Sequence, residues 1–316
     1  MAGTGLPPLG LGCAQLGDLY EELTEDEAGA IVDAAWDCGV RMFDTAPHYG
    51  LGLSERRLGR ALRGRERSEY RVSTKVGRRL VQSSSAVAGG GLERVTDYSR
   101  DGVLATLDGS LQRLDLDRVD CVLVHDPQLD PAAAIDTGYR TLHELRDQGV
   151  VTSIGVGTAD VALLLRFVRE TDIDMILLAG RMTLLNQEAS PELLPECESR
   201  GIRVINAGVY STGILASDEI KPGAHFEYRA APAEVIERAE RILTICSRHG
   251  VRLPAAALHY GFRSAAVESV LVGAETPAQI VESARMMTET VPQRLWHDLE
   301  AAGLIPTLPD RGGERA

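Results

Sequence analysis

A chain of 316 residues suffices for two average domains or for one α/β barrel. With 44% apolar and 25% charged residues it has ordinary globular composition, and its formal charge of -13 argues against nucleic acid or an anionic membrane as main partner, since both select clustered Lys and Arg. No apolar run has membrane-spanning length, and the opening MAGTGLPPLGLG lacks the basic and apolar regions of a secretory signal, so a cytoplasmic protein is expected.

Strands and helices alternate along the chain. A short Gly-punctuated strand at 9–13 ends around Gly12, and Thr24-Glu25-Asp26-Glu27 forms a capping box opening an amphipathic helix that stops at Cys38-Gly39. A strand over 40–44, a helix over 54–62 and a strand over 71–75 follow, then a long loop of Ser, Gly and charge over 77–98. A helix over 101–114 leads into the apolar strand 119–125, and a helix from Pro131 runs to Gln148-Gly149. Strands are then expected at 153–157, 175–179, 204–208 and 267–272. The helices between and after them are expected at 161–170, 191–200, 232–249, 254–262, 277–288 and 292–302, with residues 309–316 a disordered tail.

Strands alternating with helices, without a Pro-, Gly- or Ser-rich linker, imply βαβ units and a parallel sheet in a single domain over residues 1–308. A doubly wound open sheet is the competitor, but the first βα turn lacks GxGxxG and its acidic partner about twenty positions on. The expected fold class is therefore α/β, a (β/α)8 TIM barrel. The five cysteines (Cys13, Cys38, Cys121, Cys197, Cys246) are scattered, odd in number and without a CxxC pair, which suits reduced, buried thiols. No HxH or HExxH spacing marks a metal site, so no metal is expected.

Three early strands each finish in a residue able to move or steer a proton. The first runs into Asp44 and, after a turn, Tyr49; the second ends in Lys75; the third ends in His125. In parallel barrels the active site lies at the carboxyl ends of the strands, which would gather these four groups. A phenol titrates near pH 10 on its own, and a neighbouring Lys75 ammonium favours the phenolate and lowers that value. Asp44 would keep Lys75 charged and aimed, Tyr49 would give or take a proton, and a neutral His125 would donate to the reacting oxygen. Taken singly, Asp44 also reads as a helix cap, Tyr49 as a loop aromatic, Lys75 as a surface charge and His125 as a core histidine.

The segments FDTAPHYG at 43–50, STK at 73–75 and LVHDP at 123–127 resemble the catalytic tetrad of the aldo-keto reductase superfamily, over nearly the whole chain. DYSRDG at 97–102, LLAGRMTLLNQ at 177–187 and GVYSTGIL at 208–215 are similar to the branch holding L-fucose, L-galactose and D-threo-aldose 1-dehydrogenases and pyridoxal 4-dehydrogenase. The resemblance implies a nicotinamide cofactor, which the chemistry also demands, because side chains do not supply hydride. It implies that Tyr210 stacks on the nicotinamide and that Ser211, Thr212, Gly213 and Leu215 bind the pyrophosphate. It also implies that Gly273, Glu275, Gln279, Glu282 and Ser283 hold the adenosine, with Gly12 and Asp44 beside the cofactor.

Glu275 and Gln279 stand where relatives selective for NADP carry Lys or Arg, so NAD is expected over NADP; as a helix-start carboxylate, Glu275 also suits the dipole alone. The family's Asn and Gln contacts to the carboxamide are replaced by Thr158, whose hydroxyl is available to the cofactor, and Ala179.

With only four Phe, eight Tyr and two Trp, a polar substrate is favoured over a polycyclic one. Tyr20, His48, Tyr98, Arg100 and Arg181 are candidates to read sugar hydroxyls beside Tyr49 and His125. The long 77–98 loop would be a lid. The reading is an NAD(P)-dependent oxidoreductase oxidising the anomeric hydroxyl of a free aldose to a lactone. The alternatives are an NADPH-dependent aldehyde or ketone reductase, a pyridoxal-type alcohol dehydrogenase, and a nicotinamide-binding regulatory subunit. The expected partner is a small sugar or carbonyl compound, with the protein a monomer or small homo-oligomer.

Overall fold

The computed structural model describes residues 6–83 and 91–308. Eight parallel strands close into a barrel: β1 Leu9–Gly12, β2 Met42–Asp44, β3 Arg71–Val76, β4 Cys121–His125, β5 Ser153–Thr158, β6 Met175–Ala179, β7 Arg203–Ala207 and β8 Val267–Val272. Each pairs with its sequence neighbours, and β1 closes the ring on β8 through Leu9 opposite Val270. At the carboxyl rim, Gly12 lies opposite Asp44, and Asp44 opposite Ser73.

Side-chain alternation divides the apolar residues into two cores. Met42, Cys121, Leu123, Met175, Leu177, Ile205 and Leu271 fill the barrel interior. The intervening strand positions (Phe43, Val72, Val122, Ile154, Ile176, Val204, Val270) turn outward and join the helices in a larger apolar layer. Strand β5 approaches β6 so closely that a Cβ on Gly155 would come within 1.9 Å of the Met175 carbonyl oxygen, so only glycine fits there.

Most expected elements lie within one or two residues of their predicted limits. The Thr24 capping box forms, opening helix Glu25–Asp37. The 77–98 segment is not a plain loop: Arg78–Gln82 and Leu92–Thr96 pair as an antiparallel hairpin, with Arg78 opposite Thr96 and Leu80 opposite Arg94. Its Arg and Val residues, read as loop polarity, supply two short strands whose Leu80 reaches the Gly52 turn. The helix from Pro131 is interrupted by a π segment, Ala134–Tyr139, before Arg140–Asp147. A second small hairpin, His225–Phe226 with Arg229–Ala230, rises after β7. Cys38 is exposed, unlike the other four thiols, because it caps its helix at the surface. The expected tail at 309–316 lies outside the described residues. Among the described residues no helix is long and apolar enough to cross a membrane.

Candidate active site

Strand ends β2, β3 and β4 bring Asp44, Lys75 and His125 to one side of the barrel mouth, and the turn after β2 returns Tyr49 over them. Lys75, 2% exposed, donates from Nζ to Asp44 Oδ2 at 2.7 Å, to the Thr45 carbonyl at 2.9 Å and to the Tyr49 hydroxyl at 3.3 Å. Ser73 donates to the other Asp44 oxygen at 2.5 Å, so both carboxylate oxygens are held. With a carboxylate, a carbonyl and a phenol oxygen around it, Nζ can use each of its protons. The Tyr49 ring is edge-on to His125, with centroids 5.9 Å apart at 87°.

The electrostatics correct one expectation. Burial pushes the Tyr49 phenol above its ordinary value; Lys75 pulls it down and Asp44 pushes it up, and the net shift is upward, not downward. Without a ligand the resting phenol is therefore a proton donor. Lys75 is raised despite burial, because Asp44 and Tyr49 favour its charged form, so it stays an ammonium. Burial holds His125 well below the usual imidazole range, reinforced by Lys75, Arg78 and His48. Its buried Nδ1 has no hydrogen-bond partner, whereas Nε2 lies 3.6 Å from Asp126 Oδ2. An orphaned lone pair costs less than an orphaned N–H, which assigns the proton of the neutral ring to Nε2.

The rest of the rim is nearly bare. Gly12, Gly157, Ala179, Ala207 and Gly273 stand at the upper ends of β1, β5, β6, β7 and just beyond β8. A Cβ on Gly157 would lie 3.8 Å from Lys75 Cε, which places that position on the axis. Small residues on one half of the mouth and proton-handling groups on the other leave space for a flat ring beside Tyr49. Thr158 is not part of that floor: it is buried, and its hydroxyl accepts from Gln128 Nε2 at 2.5 Å and Asp160 N at 3.3 Å, because alternation turns it outward.

Beyond β7, Ser211, Thr212 and Gly213 adopt successive positive φ values of 48°, 60° and 94°. For a β-branched residue such as Thr212 this is a strained conformation of a kind that gathers at ligand clamps. Ser211 is buried and donates to Thr183 Oγ1 at 3.1 Å. Leu215 is wholly buried with its N–H on the Tyr210 carbonyl at 3.1 Å, so it contributes packing and no free donor. The Tyr210 hydroxyl bonds Ser283 Oγ at 3.1 Å, tying this turn to helix Pro277–Met286, and burial pushes its pKa up to about 12. The Tyr210–Ser283 bond thus joins the strained turn after β7 to the helix that follows β8.

Just beyond β8, Glu275 N donates to Gln279 Oε1 at 2.6 Å. Glu282 is clasped by Arg252 and by Arg285, the latter at 2.8 and 2.9 Å. Arg252 also binds Asp218 at 2.8 Å and Arg285 binds Glu289 at 2.8 Å, so both guanidiniums face carboxylates. A Cβ on Gly273 would come within 2.2 Å of the Gln15 amide, which lies across it.

The expected substrate residues divide. His48 sits at the mouth, its ring 5.6 Å from that of His125. Tyr20 is exposed and stacks on Tyr228 at 6.4 Å, bridging the loops after β1 and β7; partial burial and Tyr228 raise its pKa to about 12. Tyr98 is buried, with its hydroxyl 3.4 Å from the His125 carbonyl, so it supports β4 from behind and does not face a ligand. Arg100 turns outward onto Glu144 at 3.1 Å. Arg181 is held by Glu188 at 3.3 Å, Glu227 and the Ala159 carbonyl at 3.1 Å. Missed in the sequence are Arg78 and Arg94 of the hairpin, which converge on His48, and Asp126, which pairs with Arg78 at 2.9 Å. Only the alternation of 78–82 and 92–96 could have revealed the two arginines.

A closed parallel barrel with a Tyr–Lys–Asp–His centre at its carboxyl rim defines a barrel oxidoreductase. The chain belongs to the Aldo/keto reductase family, whose model matches residues 8–303. It is 42% identical to D-threo-aldose 1-dehydrogenase of a Pseudomonas species over 97% of each chain, and 37% identical to pyridoxal 4-dehydrogenase of Microbacterium luteolum over 96% of each. Its fold matches that of glycerol dehydrogenase from Gluconobacter oxydans with a TM-score of 0.77, covering 98% of this chain and 96% of that one at 21% identity.

Proposed function

We propose that the protein oxidises the anomeric hydroxyl of a free aldose to a lactone, with NAD as the preferred hydride acceptor. The observation that carries this reading is Tyr49, bonded to a Lys75 fixed by Asp44, beside a neutral His125 and a floor of small residues. The similarity to an aldose 1-dehydrogenase supports the substrate class. Nicotinamide, when bound, would accept the hydride. The chain's own residues do the rest: His125 Nε2 donates to the reacting oxygen and orients it. Tyr49 takes the hydroxyl proton in oxidation or gives one in reduction, and Lys75 stabilises the phenolate. The turn 211–213 and Gly273 would carry the dinucleotide, with Tyr210 against its ring. Glu275 and the neutralised Arg252 and Arg285 disfavour a 2′-phosphate, which supports NAD over NADP.

A second reading, carbonyl reduction, is favoured by one observation: the resting phenol is protonated. A panel of aldoses tested with NAD and with NADP, followed by the absorbance of the reduced nicotinamide, separates the two. Oxidation of one or more aldoses with NAD supports the first reading; no aldose oxidised, together with brisk carbonyl reduction by NADPH, establishes the second.

A further inference from the structure

The hairpin after β3 places two cations where nothing in the proton-transfer centre requires them. In its register Leu80 lies opposite Arg94 and Arg78 opposite Thr96. Alternation then puts Arg78, Leu80 and Arg94 on one face, as diagonal like-charged neighbours, an unfavourable arrangement by itself. That face looks inward, because Leu80 Cδ1 would lie 3.3 Å from a Cβ on Gly52, beside the Tyr49 turn. Both guanidiniums converge on the His48 ring, Arg94 Nη1 at 2.6 Å from Nδ1 and Arg78 Nη1 at 3.3 Å.

Their partners differ. Arg78 is neutralised by Asp126 at 2.9 Å. Among the described residues Arg94 faces no carboxylate, only an imidazole that burial, Arg78 and Arg94 hold near pKa 4 and hence neutral. Arg94 Nη1 lies 2.6 Å from Nδ1 and 3.1 Å from Nε2, and Arg78 Nη1 lies 3.3 Å from each, so two cationic donors crowd a ring with one acceptor nitrogen. The wall thus presents N–H donors in excess of acceptors, one ring's breadth from His125, with centroids 5.6 Å apart.

We propose that Arg94, with His48, forms a specificity subsite for an electron-rich oxygen of the substrate remote from the reacting carbon. The oxygen is a sugar hydroxyl or the carboxylate of a sugar acid. The inference rests on the aldose reading and deepens it: Tyr49 and His125 hold the reacting oxygen, and the hairpin selects what lies across the ring. Arg94 is exposed in the free protein, so its donors face water until a substrate covers them; a bound substrate lacking that oxygen then leaves them unmatched.

The test is steady-state kcat/KM with NAD for an oxidised aldose, its singly deoxygenated analogues and the corresponding uronate. The enzymes are wild type, Arg94→Gln, Arg94→Lys and, as a control on the opposite hairpin face, Arg79→Gln. Arg94→Gln is expected to lower kcat/KM about tenfold or more on the parent sugar. The loss should disappear with the one analogue missing the recognised oxygen, while KM for NAD and thermal stability stay unchanged. Arg94→Lys should recover part of the loss, and Arg79→Gln should match wild type. A hydroxyl as the natural partner shows as the analogue-specific effect; a carboxylate shows as an Arg94-dependent preference for the uronate. Equal loss on every analogue, or no loss on any, overturns the subsite and leaves the aldose reading standing. Wild type oxidising no aldose overturns both.

Discussion

At the scale of single residues, the site is governed by burial competing with charge. Lys75 and Asp44 are each almost wholly buried and 2.7 Å apart, and such a pair is far costlier to break than to have. Lys75→Met should therefore destabilise the fold by about 3–5 kcal/mol in denaturant unfolding, and the double variant Asp44→Asn/Lys75→Met by less than the two singles summed. Tyr49 supplies a pH signature. Its raised pKa leaves the acid form present at neutral pH and the base form scarce. The rate of aldose oxidation should climb as pH rises toward the phenol's titration, while carbonyl reduction is level at neutral pH and falls over the same range. Rate profiles in both directions check this.

His125 adds a stability term of opposite origin. Its folded pKa lies well below 6.5, so the unfolded chain binds the extra proton first as pH drops. Its contribution is full above pH 6.5 and is lost as pH falls from there toward the folded value. Chemical denaturation in steps below pH 6.5 should show progressive loss, and His125→Asn should flatten the slope.

At the scale of elements, the strained turn after β7 and the hairpin after β3 carry the groups proposed to face ligands. Thr212 holds φ at 60°, where glycine rests without penalty. Thr212→Gly is expected to raise stability by up to about 1 kcal/mol while weakening NAD binding, measured by melting and by nucleotide fluorescence titration. The element scale is also where sequence reading succeeded and failed. The capping box at Thr24, the strand 267–272 and the tetrad were legible because each rests on local patterns: cap spacing, an apolar run, or a functional residue at a strand end. Arg78 and Arg94 were not, since they lie 16 positions apart and only antiparallel pairing puts them on one face. Thr158 and Tyr98 misled for a related reason: a hydroxyl near the rim points outward or inward by strand parity and packing, which a motif does not reveal. The sign of the Tyr49 shift depends on how much protein surrounds the phenol, a quantity with no local signature.

At the scale of the whole molecule, the barrel sorts its rim into two halves. Strands β2 to β4 bear the charged and proton-carrying groups, whereas Gly12, Gly157, Ala179, Ala207 and Gly273 stand at or just beyond the ends of β1 and β5 to β8. On the proposed reading, one half would handle the proton and the other would make room for the ring that receives hydride. A dinucleotide seated there must stabilise the folded state by mass action. NAD at 100 times its Kd should add about 2.7 kcal/mol, seen as a rise in melting temperature, with NADP at equal concentration adding less.

The central claim is that Tyr49 is the group exchanging a proton with the reacting oxygen. Its most direct test compares wild type and Tyr49→Phe in aldose oxidation by NAD, with NAD affinity measured separately by fluorescence. The account predicts that kcat falls by about 10²- to 10⁴-fold while NAD binding is retained. Turnover within a few-fold of wild type in the phenylalanine variant would contradict it.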